Sequence, residues 1–265
     1  MNPLTTNMKV LFVAWQDPAS RNWQPVARLT FENNRFRFVY TKGAKSANNF
    51  MPFGRMNDFY TVYESKELFP LFTNRLLSKN RPEYPDFLEW LNIEKGEDDP
   101  LVVLGRSGGK RGTDSLMIFP CPERTPDGKY QLYFFSQGLR YLKKEDLDVV
   151  AELKIGEQLF LMLDVQNQHD HLAIALRTED PPVFLGRVPR YFSEDFHHLL
   201  KFNNGNSVKV VVKRVNQDAP VQLRLLCQIS ADWPVDMKSC SGELYQPLPN
   251  LTEYDSLENK IPTST

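Results

Sequence analysis

Asn167-Gln168-His169-Asp170-His171-Leu172-Ala173-Ile174 is the stretch on which the reading of the fold turns. Asn and Asp fold turns by bonding their own backbone through short side chains. Here they stand three apart and run straight into Ala173-Ile174. The flanks, Gln158–Asp164 and Ala173–Leu176, are rich in apolar and β-branched residues and read as strands, so the segment is the bend of a hairpin. Working outward, Tyr130–Phe135, Phe184–Arg187, Val208–Val215 and Val221–Gln228 read as further strands, with a turn from Leu176 to Pro182. Ser193–Phe202 carries Phe196, Leu199 and Leu200 at helical spacing, with Ser193 as its cap. Many short strands and one clear helix predict a small closed barrel.

The front of the chain has a different rhythm. Lys9–Gln16, Pro25–Asn33 and Arg35–Thr41 read as strands, the last two joined by a tight turn at Asn33-Asn34. Lys66–Ser78 places Leu68, Phe69, Phe72, Leu76 and Leu77 on one helical face behind Ser65 as cap. A second helix runs from Pro85 to Leu91, proline suiting the first helical turn. Leu101–Leu104 is a short apolar run, Gly105 to Gly112 is glycine-rich and basic, and Ser115–Phe119 reads as a strand. Cys121 to Gly128 holds two prolines and an Asp-Gly, which sets a boundary. The expected organisation is an α+β module over 1–122, a barrel over 129–232 and a loosely ordered, Pro/Ser/Thr/Asn-rich tail over 236–265.

Composition narrows the function. The 265 residues hold 32 Lys and Arg against 33 Asp and Glu, a net charge of −1, which excludes a protein that coats DNA by bulk charge. A local basic groove stays open, because binding depends on where charge lies. No run of eighteen apolar residues exists, so no membrane span is expected. The first residues lack the basic start, apolar run and cleavage site of a secretory leader, so the expected location is cytoplasmic. Cys121, Cys227 and Cys240 are too widely spaced for a disulfide framework or a zinc motif.

Several motifs fail on spacing. Gly105-Arg-Ser-Gly-Gly-Lys110-Arg111 is too short between glycines for a triphosphate loop and lacks Ser or Thr after the lysine. No nucleophile elbow or kinase catalytic loop is present. His169 and His171 have no third metal ligand in sequence, and His197 and His198 point apart on their helix. No catalytic residue, metal or cofactor is assigned, and the chain is expected not to be an enzyme.

Four elements recur in order over about one hundred residues: Gly138-Leu-Arg140-Tyr141; Lys154-Ile-Gly156-Glu-Gln158-Leu; Asn167-x-x-Asp170-x-x-Ala173-Ile174; and Leu185-Gly186-Arg187-Val-Pro189. This order resembles the HIRAN domain, a module of helicase-like transcription factors that also occurs alone in bacteria. The resemblance implies an OB-like barrel with one or two helices that holds single-stranded DNA at its 3′ end. By that resemblance Arg140 bonds a phosphate or base edge, Tyr141 stacks or offers its hydroxyl, and Asp170 accepts a bond from the terminal 3′-hydroxyl. Arg187 and Arg190 line the phosphate path. His169 stands where eukaryotic members carry a stacking Tyr, and the aromatic that some members place after the helix has no counterpart around Asn216. Read from the residues alone, Asp170 is equally a turn cap and Tyr141 equally a core residue.

A second resemblance covers the front. Leu29-Thr-Phe31, Arg35-Phe-Arg-Phe-Val-Tyr40, Leu68-Phe-Pro-Leu-Phe72-x-Asn74-Arg75-Leu-Leu and Arg81-Pro82 resemble the N-terminal subdomain of HipA-type toxin kinases, without the kinase body. It implies protein contact, with Leu68, Phe69 and Phe72 as the candidate surface or else as core. Together the two resemblances point to a bacterial, non-catalytic protein that recognises DNA ends or single strands in repair or defence. The alternative is a regulatory, antitoxin-like subunit of a separate HipA-type kinase.

Overall fold

The computed structural model of the chain describes residues 10–168, 170–203 and 207–251. In chain order the front carries β1 (Val10–Gln16), β2 (Trp23–Glu32), β3 (Arg35–Tyr40), α1 (Lys42–Ser46), β4 (Tyr63–Ser65) and α2 (Pro70–Thr73). Next come α3 (Tyr84–Trp90), α4 (Pro100–Ser107), β5 (Leu116–Pro120), β6 (Lys129–Phe135) and α5 (Lys144–Glu152). The rest holds β7 (Gln158–Leu163), β8 (Ile174–Arg177), β9 (Phe184–Arg187), α6 (Ser193–Phe202), β10 (Lys209–Val215) and β11 (Leu225–Asp232).

These elements gather into two compact units, each interrupted in sequence. One takes the described chain up to Leu77, Pro100–Cys121 and the stretch from Cys240; the other takes Ser78–Asp99 and Pro122–Ser239. The first is an antiparallel sheet in the order β4-β3-β2-β1-β5. Asn33 and Asn34, both at positive φ, form the β2–β3 turn, a backbone state that asparagine tolerates. Leu11, Val13, Ala27, Leu29 and Phe38 line one sheet face and pack with Phe72, Leu101 and Leu104 into a core. Tyr40 is fully buried, and its hydroxyl is satisfied twice: it donates to the Met56 carbonyl at 2.6 Å and accepts from the Phe53 amide at 2.6 Å.

This unit departs from its expected form in its helices. The helix read over 66–78 is only the single turn α2, because Pro70 sits at its first position and has no N–H to continue a helix through it. Phe72 is 0% exposed and packs on Phe38, so it is interior and not part of a docking face, while Leu68 and Phe69 are partly buried against the same core. The run Leu101–Leu104 belongs to the helix α4, opened by Pro100. Within the expected tail, the residues after Cys240 are held onto the unit. Leu248 N–H donates to the Tyr40 carbonyl at 2.8 Å, and the Tyr245 ring stands edge-on to Phe12, 5.1 Å between centroids. Residues 252–265 of that tail lie outside the described residues.

The second unit is built on a curled antiparallel sheet in the order β6-β11-β10-β7-β8-β9. Its two ends meet at one bridge, where Gln137 just past β6 and Arg187 in β9 exchange backbone hydrogen bonds of 2.8 and 2.9 Å. The expected closed barrel is therefore a half-barrel whose ends also touch where Ser136 Oγ donates to the Leu185 carbonyl at 2.6 Å, consistent with an OB-like fold. Gly186 makes that contact possible: a Cβ there would stand 2.3 Å from Ser136 Oγ and 2.6 Å from the Gln137 carbonyl. Helix α6 covers the interior with Phe196, which lies edge-on to Phe134 at 5.4 Å and to Tyr130 at 6.3 Å. Ser193 is its first residue and makes no cap bond, against the expectation.

Gly138-Leu-Arg-Tyr forms a tight 3-10 turn over Leu139–Tyr141, opened by Gly138 at a left-handed φ of 87°. Val221–Leu223 is likewise a short turn after Pro220, and β11 begins at Leu225. Helix α3 belongs to this unit: the Asn216 amide donates to the Trp90 carbonyl at 3.0 Å and Arg214 pairs with Glu89. Asn216, where the resemblance lacked an aromatic, is thus a buried structural amide, also donating to the Leu223 carbonyl at 2.7 Å. Among the described residues no helix is long and apolar enough to cross a membrane, and no disulfide forms.

Candidate nucleic-acid interface

The turn after β6 displays two of the expected site residues. Leu139 plugs into the core, which forces the next two side chains outward. Arg140 lies over the Tyr141 ring, 4.6 Å to its centroid, and donates to the Tyr141 hydroxyl. Tyr141 is 74% exposed, so the core reading of this residue does not hold. A cation over an exposed ring is worth only about 0.5–1 kcal/mol, and the pair is free to accept a new stacking partner.

The β7–β8 hairpin supplies the next group, and its side chains explain the spacing of the segment. Asn167 Oδ1 accepts the Asp170 N–H at 3.0 Å; Asp170 Oδ1 accepts the Leu172 N–H at 3.1 Å; and the Asp170 carbonyl accepts the Ala173 N–H at 3.0 Å. Asn and Asp three apart therefore fold the loop, as the turn reading held. The second oxygen of Asp170 has another role, standing 3.6 Å from Arg190 Nε. His169, the expected stacking residue, lies outside the described residues.

Arg187 projects from β9 beside this loop. Its Nε and Nη2 both donate to Asp164 Oδ2, at 3.0 and 2.8 Å, and its guanidinium rests 5.0 Å from the Phe184 ring centroid. Asn167 donates to the same Asp164 oxygen at 3.1 Å. Arg187 first, and Asn167 second, hold the Asp164 carboxyl below the usual carboxylate range. Asp164, a strand-end residue with nothing to distinguish it in the sequence except its place three before Asn167, is the member the sequence reading missed.

The arrangement is a continuous polar chain, Arg187–Asp164–Asn167–Asp170–Arg190, that ties the β7–β8 hairpin to β9 and the turn after it. The Gln137–Arg187 bridge brings the Tyr141 turn to the strand that carries Arg187. Both arginines are already ion-paired, so they offer directed N–H groups rather than bare charge. Met162, Leu163 and Val165 stand exposed where β7 enters the hairpin. Over Lys129 to Ser230 seven Lys and six Arg face twelve Asp and Glu, a balance of about +1.

Residues 129–233 match the family model of the HIRAN domain. A crystal structure of a protein from Lactobacillus plantarum is 20% identical, covers 39% of this chain and 97% of its own, and superposes with a TM-score of 0.32. The crystal structure of the HIRAN domain of human HLTF is 16% identical, covers 40% of this chain and 80% of its own, with a TM-score of 0.30. No curated protein matches the chain.

Proposed function

We propose, from the HIRAN match over residues 129–233, that this region is a DNA-binding module that captures a single strand at its 3′ end. The observation that carries the reading is the exposed Arg140–Tyr141 pair on the turn bridged to Arg187. An exposed ring beside directed donors is what a strand end requires. Stacking on aromatics is sequence-tolerant and worth about 1–3 kcal/mol per base. In this reading Tyr141 receives the terminal base, Arg140 a phosphate, and Arg187 and Arg190 the adjoining phosphates. Asp170 Oδ2, already near Arg190, accepts a hydrogen bond from the 3′-hydroxyl, which an ionised 3′-phosphate cannot donate. His169 adds a second stacking surface. The module binds and does not transform its ligand, and a role in repair or defence against foreign DNA follows from recognising ends.

Fluorescence anisotropy with one oligonucleotide bearing either a 3′-hydroxyl or a 3′-phosphate tests this. Tighter binding of the hydroxyl form is expected. Equal affinity for both removes end capture, and no affinity for either removes DNA binding.

A further inference from the structure

We infer that the first unit carries a second binding site, a cleft that takes a nucleotide unit: a planar heteroaromatic base bearing one anionic group. The cleft has a volume of about 470 Å³, inside the roughly 300–1,000 Å³ typical of small-molecule sites. It involves no residue of the HIRAN-matched region and stands apart from the reading given there.

Four segments of the unit build it. Trp15 comes from β1, and Phe50, Met51 and Phe53 come from the loop after α1. Trp15 and Phe50 meet at 5.5 Å and 62°, forming an angled aromatic wall. Met51, 75% exposed at this wall, is an unbranched thioether able to close over a flat ligand. Arg75, past α2, and Asp114, before β5, make the opposite side.

That opposite side is electrically closed. The Arg75 side chain is 3% exposed, and it donates to both Asp114 oxygens, to the Gly109 carbonyl at 2.9 Å and to the Leu71 carbonyl at 3.1 Å. Asp114 Oδ1 also accepts the Leu116 N–H at 3.2 Å. The pair is a strut, and it leaves no charge for a ligand. Arg111 is different: it lines the same cleft, is exposed and has no ion-pair partner among the described residues. One uncompensated guanidinium calls for one anionic group, not the several charges of a triphosphate.

The amides set the remaining chemistry. Asn49 and Asn74 line the cleft and are exposed, and neither side chain has a hydrogen bond among the described residues. Each carboxamide offers a donor and an acceptor side by side, the complement of a nucleobase edge. A plain aromatic acid would use the wall and Arg111 but leave both amides unmatched. A base with its phosphate uses all three, whether as a free nucleotide or as the terminal unit of a strand.

Calorimetry on the full chain tests the site with AMP, adenosine and ribose 5-phosphate. AMP is expected to bind at least about tenfold more tightly than either part. Arg111→Ala is expected to cost AMP at least tenfold while leaving adenosine unchanged, and Arg140→Ala to leave AMP binding unchanged. Absence of AMP binding at millimolar concentration overturns the inference. So does ribose 5-phosphate matching AMP, an Arg111→Ala protein that binds AMP normally, or loss of AMP binding in Arg140→Ala. A 5′-phosphorylated hexanucleotide, titrated in the Arg140→Ala background, names the source. Tighter binding than AMP that Arg111→Ala abolishes assigns a strand terminus, and weaker binding assigns the free nucleotide. Both support the cleft.

Discussion

Tyr141 separates the two demands on a binding residue, because its ring is displayed while its neighbour Leu139 holds the turn. Tyr141→Ala should leave stability within about 0.5 kcal/mol of the parent, as surface changes do. It should weaken single-strand DNA by about 1–3 kcal/mol, the worth of one stacked base. Anisotropy and thermal melting read the two effects separately, and Tyr141→Phe should keep most of the affinity. Asp164 acts through Arg187. Asp164→Asn removes the charge that pairs with the guanidinium and should cost stability about 1 kcal/mol for such a half-exposed pair. Its DNA affinity should become more salt-dependent as Arg187 is released, seen as a steeper slope of log Kd against log salt. Tyr40 shows the opposite case, a buried hydroxyl with both bonds made. Tyr40→Phe strands the Phe53 amide and the Met56 carbonyl and should cost about 1–3 kcal/mol in a urea melt.

The contact between β9 and Gln137, two residues past β6, depends on one glycine. Gly186 has φ +96° and no room for a Cβ against Ser136 and Gln137. Gly186→Ala should therefore cost at least about 1–3 kcal/mol from backbone strain alone and separate the Tyr141 turn from Arg187, measured as lost stability together with lost DNA affinity. Alternating strands were legible in the sequence: β6, β7, β9 and β10 fall within two residues of their predicted spans, and α6 matches its span residue for residue. Period and turn chemistry are local, so local reading finds them. Helix α5 went unread although Leu147 and Val150 sit three apart behind Glu145 and Asp146, since four apolar positions in nine residues give a weak stripe. The polar part of the site was half legible. Asn167 and Asp170 announce a turn wherever they occur, but Asp164 matters only because the hairpin folds Asn167 back and β9 delivers Arg187. Pairing across 23 residues leaves no local trace.

Charge and titration belong to the molecule as a whole. With a balance of about +1 over Lys129 to Ser230, few phosphates can be neutralised. A single-strand salt slope near −0.7 per phosphate contact then predicts a total of about −1.5 to −3 for two to four contacts. Titrations between 50 and 200 mM salt check this. At the alkaline end, burial pushes Tyr40 up to about 12, and burial followed by the bond to Asp98 does the same for Tyr84. A raised folded value favours the protonated phenol in the folded state. That stability is fully present below the ordinary tyrosine value of 10.0 and is lost as pH rises toward 12. Urea midpoints should fall across that window, and the fall should be shallower in Tyr84→Phe. The interleaved path of the chain has a consequence in time. During synthesis the front sheet emerges before the second unit, yet Leu248 and Tyr245, which bond Tyr40 and cover Phe12, are made after it. That sheet must wait for the whole second unit to emerge before the segment after Cys240 can dock, so a chain stopped between Pro122 and Cys240 leaves the front sheet without the residues that close it.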